Sequence, residues 1–163
     1  MNGDFTVLLA QGDPDHRHEF HLVMNGNYTP PTIREADDGE EVIEYLRGEG
    51  KFANREKFPM PDLLILDLNM PKVGGLDILR WLRRHPEFCR LVTVMLSGSG
   101  EKKEIAEAYR LGACSYFKKP RDFNRFMKML NTIFDYWLLN GKIDGNGTFD
   151  PATLPRQMLE ILS

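Results

Sequence analysis

The stretch Asp62-Leu63-Leu64-Ile65-Leu66-Asp67-Leu68-Asn69-Met70-Pro71 constrains this chain more than any other. Four apolar residues in a row, with no polar residue alternating between them, read as a strand buried on both faces. Such a strand needs helices above and below it, and strands covered in that way are parallel, joined by helical crossovers. The run is closed by Asp67 and then by the loop Pro71-Lys72-Val73-Gly74-Gly75. In an open sheet of this kind ligands sit outside the carboxyl ends of the strands, so Asp67 is the first candidate for chemistry.

The rest of the chain supplies the partners that such a strand needs. Phe5 to Ala10 is apolar and β-branched, stops at Gln11-Gly12, and is followed by Asp13-Pro14, a helix cap and a first-turn proline. The helix that follows carries His16, His18 and His21, which read as a wet face because no further ligand is spaced to complete a metal site. Thr32 to Ala36 is a weak second strand. Asp38 caps the next helix, with Glu41 three residues on as in a capping box. Residues 48 to 61 are polar and punctuated by Pro and Gly, the signature of a long surface connection.

After the central strand, Leu76, Ile78, Leu79 and Leu82 mark a third helix, stopped at His85-Pro86. Leu91 to Leu96 is a second doubly buried strand, ending at Ser97-Gly98-Ser99-Gly100. Ile105, Ala108, Tyr109 and Leu111 belong to a fourth helix closed by Gly112. Cys114 to Phe117 is a short strand leading to Lys118-Lys119-Pro120. The last helix, Asp122 to Leu139, carries Phe123, Phe126, Met127, Leu130, Ile133, Phe134 and Trp137 on one stripe. Five strands alternating with five helices predict a doubly wound α/β domain around a five-stranded parallel sheet.

Composition narrows the function classes. A formal charge of -3 over 163 residues offers no basic field for nucleic acid. The local group Arg80, Arg83, Arg84 and Arg90 reads as a solvated helix face. No apolar run approaches a membrane span, and Met1-Asn2-Gly3-Asp4 does not open a signal peptide. Two cysteines, Cys89 and Cys114, suit a reducing compartment. The expectation is a cytoplasmic protein without nucleic-acid or membrane partners.

Asp67, Ser97 and Lys119 each stand just past the end of a separate strand, so a parallel sheet brings an acid, a hydroxyl and an amine to one edge. With Leu66-Asp67-Leu68-Asn69-Met70-Pro71 and Tyr116-Phe117-Lys118-Lys119-Pro120, this trio resembles the receiver domain of two-component response regulators over roughly Thr6 to Leu139. The resemblance implies a flavodoxin-like strand order, 2-1-3-4-5. It implies that Asp67 is a phosphoacceptor attacking the phosphohistidine of a sensor histidine kinase or phosphotransfer protein. Lys119 then pairs with the phosphoryl group, Ser97 is the switch hydroxyl, and Tyr116 is the aromatic that reports the movement. Asn69 stands where a backbone carbonyl ligates magnesium. A non-enzymatic signalling role is expected.

One position departs from the family. Members carry two adjacent acids after the first strand to hold magnesium, and this chain has Gln11-Gly12 there, with Asp13 one residue later. Gln11 offers an amide oxygen and Gly12 only backbone, while Asp13 is also the helix cap. Magnesium is therefore expected to bind weakly, through Asp67, the Asn69 carbonyl and, in competition with capping, Asp13. The alternative is a pseudo-receiver, an interaction module that works without phosphorylation. A fold-related aspartyl-phosphate hydrolase lacks its second acid near Asp67.

Residues 1–139 are expected to form the receiver and residues 140–163 a tail made of a turn and a short helix, too short for an output domain. Asp144 to Asp150 is like the middle of a calcium loop, but its end ligands would fall on Lys142 and Thr153, so a turn is the better reading. Asp135-Tyr136-Trp137-Leu138 resembles stand-alone receivers associated with bacterial phytochrome-type kinases. That likeness, with the apolar tail, implies a homodimer through the last helices and tail.

Overall fold

A computed structural model describes residues 5–25 and 32–139 of the chain. Five strands form an all-parallel sheet: β1 (Thr6–Ala10), β2 (Thr32–Ala36), β3 (Leu63–Leu66), β4 (Val92–Ser97) and β5 (Ser115–Lys118). Their order is β2-β1-β3-β4-β5, the order the resemblance implied. Five helices connect and cover them: α1 (Pro14–Asn25), α2 (Gly39–Arg47), α3 (Gly75–Arg83), α4 (Lys102–Arg110) and α5 (Phe123–Leu139).

The period of two along the strands divides the core into two layers. Val7, Leu9, Ile65, Val94 and Leu96 face one way and pack with Phe20 of α1 and with Phe126 and Leu130 of α5. Leu8, Leu64, Leu66 and Met95 face the other way, toward Val42 and Tyr45 of α2 and Ile78 and Leu79 of α3. β1, β3 and β4 are buried throughout, which is why they read as unbroken apolar runs; β2, at the edge, is half-buried. Each large apolar side chain withdrawn from water contributes roughly 1.5–3 kcal/mol. The two layers therefore hold the strand ends, and the site at them, in place.

The helix signals in the sequence operate as physical caps. Asp38 accepts the Glu41 N–H at 2.9 Å, and Glu41 reaches back to the Asp37 N–H at 2.8 Å. Gly112 follows α4 with φ of +101°, a conformation that a Cβ would strain. Two expected core positions turn outward instead. Tyr109 is 41% and Phe123 49% exposed. Phe123 begins α5 and overhangs the layer, whereas Tyr109 turns its hydroxyl to accept the Tyr116 N–H of β5 at 3.0 Å.

The connection between α2 and β3 is more organised than its polar sequence suggests. Phe52 is buried and packs with Tyr45 and Phe58 at ring separations of 4.9 and 5.2 Å. Arg55 donates to the carbonyls of Tyr45 and Leu46 at 2.7 and 2.8 Å, closing the end of α2. His21 bonds Glu35 of β2 at 2.8 Å, and no metal-binding group of His, Cys, Asp or Glu exists among the described residues. No helix among them is long and apolar enough to cross a membrane. The side chains of Tyr136 and Trp137 and all of residues 140–163 lie outside the described residues, and with them the expected tail helix, turn and dimer contact.

Candidate functional site

Strand register builds the site. Ala10 pairs with Leu66 and Leu66 with Met95, so β1, β3 and β4 finish nearly abreast and their next residues emerge at one edge. The Asp67 N–H donates to the Ala10 carbonyl at 3.0 Å, which places Gln11 and Asp67 side by side. Ser97 pairs with Lys118, and the Lys119 N–H donates to the Ser97 carbonyl at 2.7 Å. The expected trio is thus assembled from three strand ends.

Asp67 and Lys119 are both buried, each 8% exposed, and in contact. Lys119 Nζ donates to Asp67 Oδ2 at 3.0 Å, and the Asn69 N–H donates to Asp67 Oδ1 at 3.1 Å. A carboxylate and an ammonium withdrawn together from water recover through their mutual attraction part of what desolvation costs each. Removal of either leaves the other exposed to the full penalty. Lys119 Nζ also donates to Gln11 Oε1 at 2.6 Å, and Gln11 is fully buried. The Gln11 Nε2 has no hydrogen-bond partner among the described residues.

The loop after Asp67 is clasped by two glycines. A Cβ on Gly75 would stand 2.5 Å from the Asp67 carbonyl oxygen, and a Cβ on Gly39 would stand 2.0 Å from the Val73 carbonyl oxygen. The Gly39 N–H donates to the Pro71 carbonyl at 3.2 Å. Lys72 turns through a left-handed conformation, φ +65°, with its ammonium 3.3 Å from Asp38. Burial is the largest influence on the Asp38 carboxyl and favours its neutral form. The Glu41 N–H and Lys72 outweigh it and hold the group below the usual carboxylate range.

Ser97 is fully buried, and its Oγ accepts the Ser99 N–H at 3.3 Å. The Tyr116 hydroxyl donates to the Ser99 carbonyl at 2.8 Å, and its ring is 3% exposed. Burial pushes the Tyr116 hydroxyl pKa up, opposed by the neighbouring Ser97 and Ser99. Ser97 and Tyr116 therefore hold the same residue, Ser99, one by its N–H and the other by its carbonyl.

The donors at this edge do not fit a tightly held magnesium ion. Gly12 has no side chain; a Cβ there would meet the Pro71 Cδ at 3.2 Å and the Asn69 carbonyl oxygen at 4.0 Å. Asp13 is exposed, and its Oδ1 accepts the Asp15 N–H at 2.9 Å; capping α1 is the task it performs. The Gln11 oxygen is engaged by Lys119. The Asp67 carboxylate and the Asn69 carbonyl remain, against a near-octahedral requirement for six oxygens. A carboxylate at ~4 Å from a dication is worth on the order of 8 kcal/mol of gross attraction at an effective dielectric of ~20. Two such contributions are missing here. The Gln11–Lys119 contact had no signal in the sequence beyond a polar residue closing a buried strand.

Comparison with known proteins gives the family and the fold. The family described as the response regulator receiver domain matches residues 7–131. The chain is 31% identical over 101 residues to the response regulator Rcp1 of Synechocystis sp., covering 62% of this chain and 67% of that protein. Among solved structures, the phosphorylated cyanobacterial phytochrome response regulator RcpA superposes with a TM-score of 0.79 at 27% identity, over 85% of this chain and 96% of that one. The response regulator RPA3017, in red light signalling of R. palustris, gives 0.75 at 30% identity, over 82% and 94%.

Proposed function

This chain belongs to the receiver domain family of two-component response regulators, and on that premise we propose that Asp67 is its phosphoryl acceptor. A carboxylate oxygen of Asp67 attacks the phosphorus of a phosphohistidine on a sensor kinase or phosphotransfer protein. The P–N bond breaks, the imidazole leaves with its electron pair and takes up a proton, and an acyl phosphate remains on Asp67. There is little covalent work for the protein beyond positioning and charge neutralisation. The buried Lys119 ammonium, 3.0 Å from Asp67 Oδ2, carries this reading. It stands where charge collects on the transferred group.

The consequence travels through Ser97. A phosphoryl oxygen that recruits the Ser97 hydroxyl withdraws it from the Ser99 N–H, and the Ser99 carbonyl is the acceptor for Tyr116. The segment and the aromatic then move together, on the face made by α4, β5 and α5. Residues 1–139 act in this way as the receiver unit, in the cytoplasm where kinases present phosphohistidine, and signal by protein contact.

Incubation with acetyl phosphate followed by intact mass measurement tests the assignment. The wild-type chain should gain the mass of one phosphoryl group and Asp67→Asn none. An equal gain in both would overturn it.

A further inference from the structure

We infer that Gln11 and Lys119 together do at this site what a divalent cation does in a pocket with an acid pair, so that Asp67 holds a phosphoryl group without metal. The inference rests on Asp67 being the acceptor and specifies what stabilises the group there.

Charge gives the first reason. Where three carboxylates meet one ammonium, two negative charges are left over, and a dication is needed before a phosphoryl anion can approach. In this pocket the buried charged groups are one carboxylate, Asp67, and one ammonium, Lys119. They cancel without help. Gln11 is neutral, Gly12 brings no side chain, and Asp13 caps α1. Among the described residues no second buried carboxylate stands beside Asp67 to draw in a cation.

Donor geometry gives the second. The Gln11 oxygen holds Lys119 Nζ at 2.6 Å and so fixes the ammonium against Asp67 Oδ2. The N–H groups of the same buried amide have no acceptor among the described residues, which is an unusual and costly state. A phosphoryl group on Asp67 brings oxygens beside that ammonium, and those oxygens are the acceptors the amide lacks. An anion held by one ammonium and preoriented neutral donors in a buried pocket is stabilised electrostatically with no ion required.

Beryllofluoride, which docks on a carboxylate as a phosphoryl mimic, distinguishes the outcomes. The full chain is titrated calorimetrically with it in EDTA and again in excess magnesium. The expected affinities agree within about threefold, and Gln11→Ala weakens metal-free binding by about tenfold or more. In Gln11→Glu/Gly12→Asp, which restores the acid pair, binding should become magnesium-dependent, a change that a merely structural role of Gln11 would not produce. Wild-type binding that requires magnesium overturns the inference and leaves Asp67 as the acceptor. No binding in either buffer overturns both. Metal-free binding unchanged in Gln11→Ala overturns the part assigned to Gln11.

Discussion

The amide oxygen of Gln11 lies 2.6 Å from the ammonium of Lys119, across 108 residues of chain, in a pocket that solvent barely reaches. That contact ties the end of β1 to the end of β5 across β3 and β4. Lys119 is consequently shared between a neutral acceptor and the Asp67 carboxylate. The consequences of breaking this arrangement can be ranked.

Lys119→Met leaves Asp67 Oδ2 and Gln11 Oε1 buried without their common donor. The methionine fills much of the volume, so the loss is mainly electrostatic, on the order of 2–4 kcal/mol. Urea unfolding should show it as a lower midpoint with an unchanged slope, accompanied by loss of stable phosphorylation.

Gly75→Ala sets two effects against each other. Alanine in a helix gains up to about 1 kcal/mol over glycine, while the clash 2.5 Å from the Asp67 carbonyl oxygen and 2.8 Å from the Leu68 Cα costs about 1–3 kcal/mol. Both neighbours are backbone and yield little, so the clash wins, by up to about 2 kcal/mol when the full helix gain is subtracted. Gly98→Ala, with nothing within 4 Å of its added carbon, serves as the control and should stay within about 0.5 kcal/mol.

Much of this site was legible because its members end apolar runs. Asp67 follows, and Ser97 ends, a strand that burial forces to be hydrophobic, so a polar residue at the boundary stands out, while Lys119 follows the short β5. Gln11 ends such a run too, yet a buried amide declares no partner; register alone, Ala10 against Leu66, puts it beside Asp67. Asp13 was legible as a cap, and its Oδ1 accepts the Asp15 N–H as a cap does. Tyr109 misled because helical period places it inward, while the unpaired N–H of edge strand β5 draws its hydroxyl to the rim. Phe52 and Arg55 lie in a segment with no period at all, where an aromatic cluster and the open end of α2 decide the fold.

Tyr116→Phe removes a single hydroxyl and leaves the Ser99 carbonyl without that donor. The cost should be about 1 kcal/mol. Phosphoryl acceptance, read as mass gain from acetyl phosphate, should persist, because the hydroxyl bonds Ser99 rather than Asp67.

Acid should weaken the fold through α2. The Asp38 carboxyl titrates lower in the folded chain than its ordinary value of ~3.9. Glu41 is likewise held down: burial opposes this, and the Asp37 N–H and Lys51 outweigh it. The folded chain therefore binds fewer protons than the unfolded one. The stability these groups contribute is complete above the ordinary carboxylate range and is lost as pH falls below about 4. Urea midpoints between pH 6 and 3.5 should fall, and less steeply in Asp38→Asn, which keeps the cap and loses the titration.

Borohydride trapping tests the acceptor itself. Reduction of an acyl phosphate converts aspartate to homoserine, and peptide mass mapping after acetyl phosphate treatment locates it. Homoserine at position 67, absent without the phosphodonor, is the expected result. Homoserine at another acid, or none while intact mass shows a phosphoryl group, would contradict the assignment of Asp67.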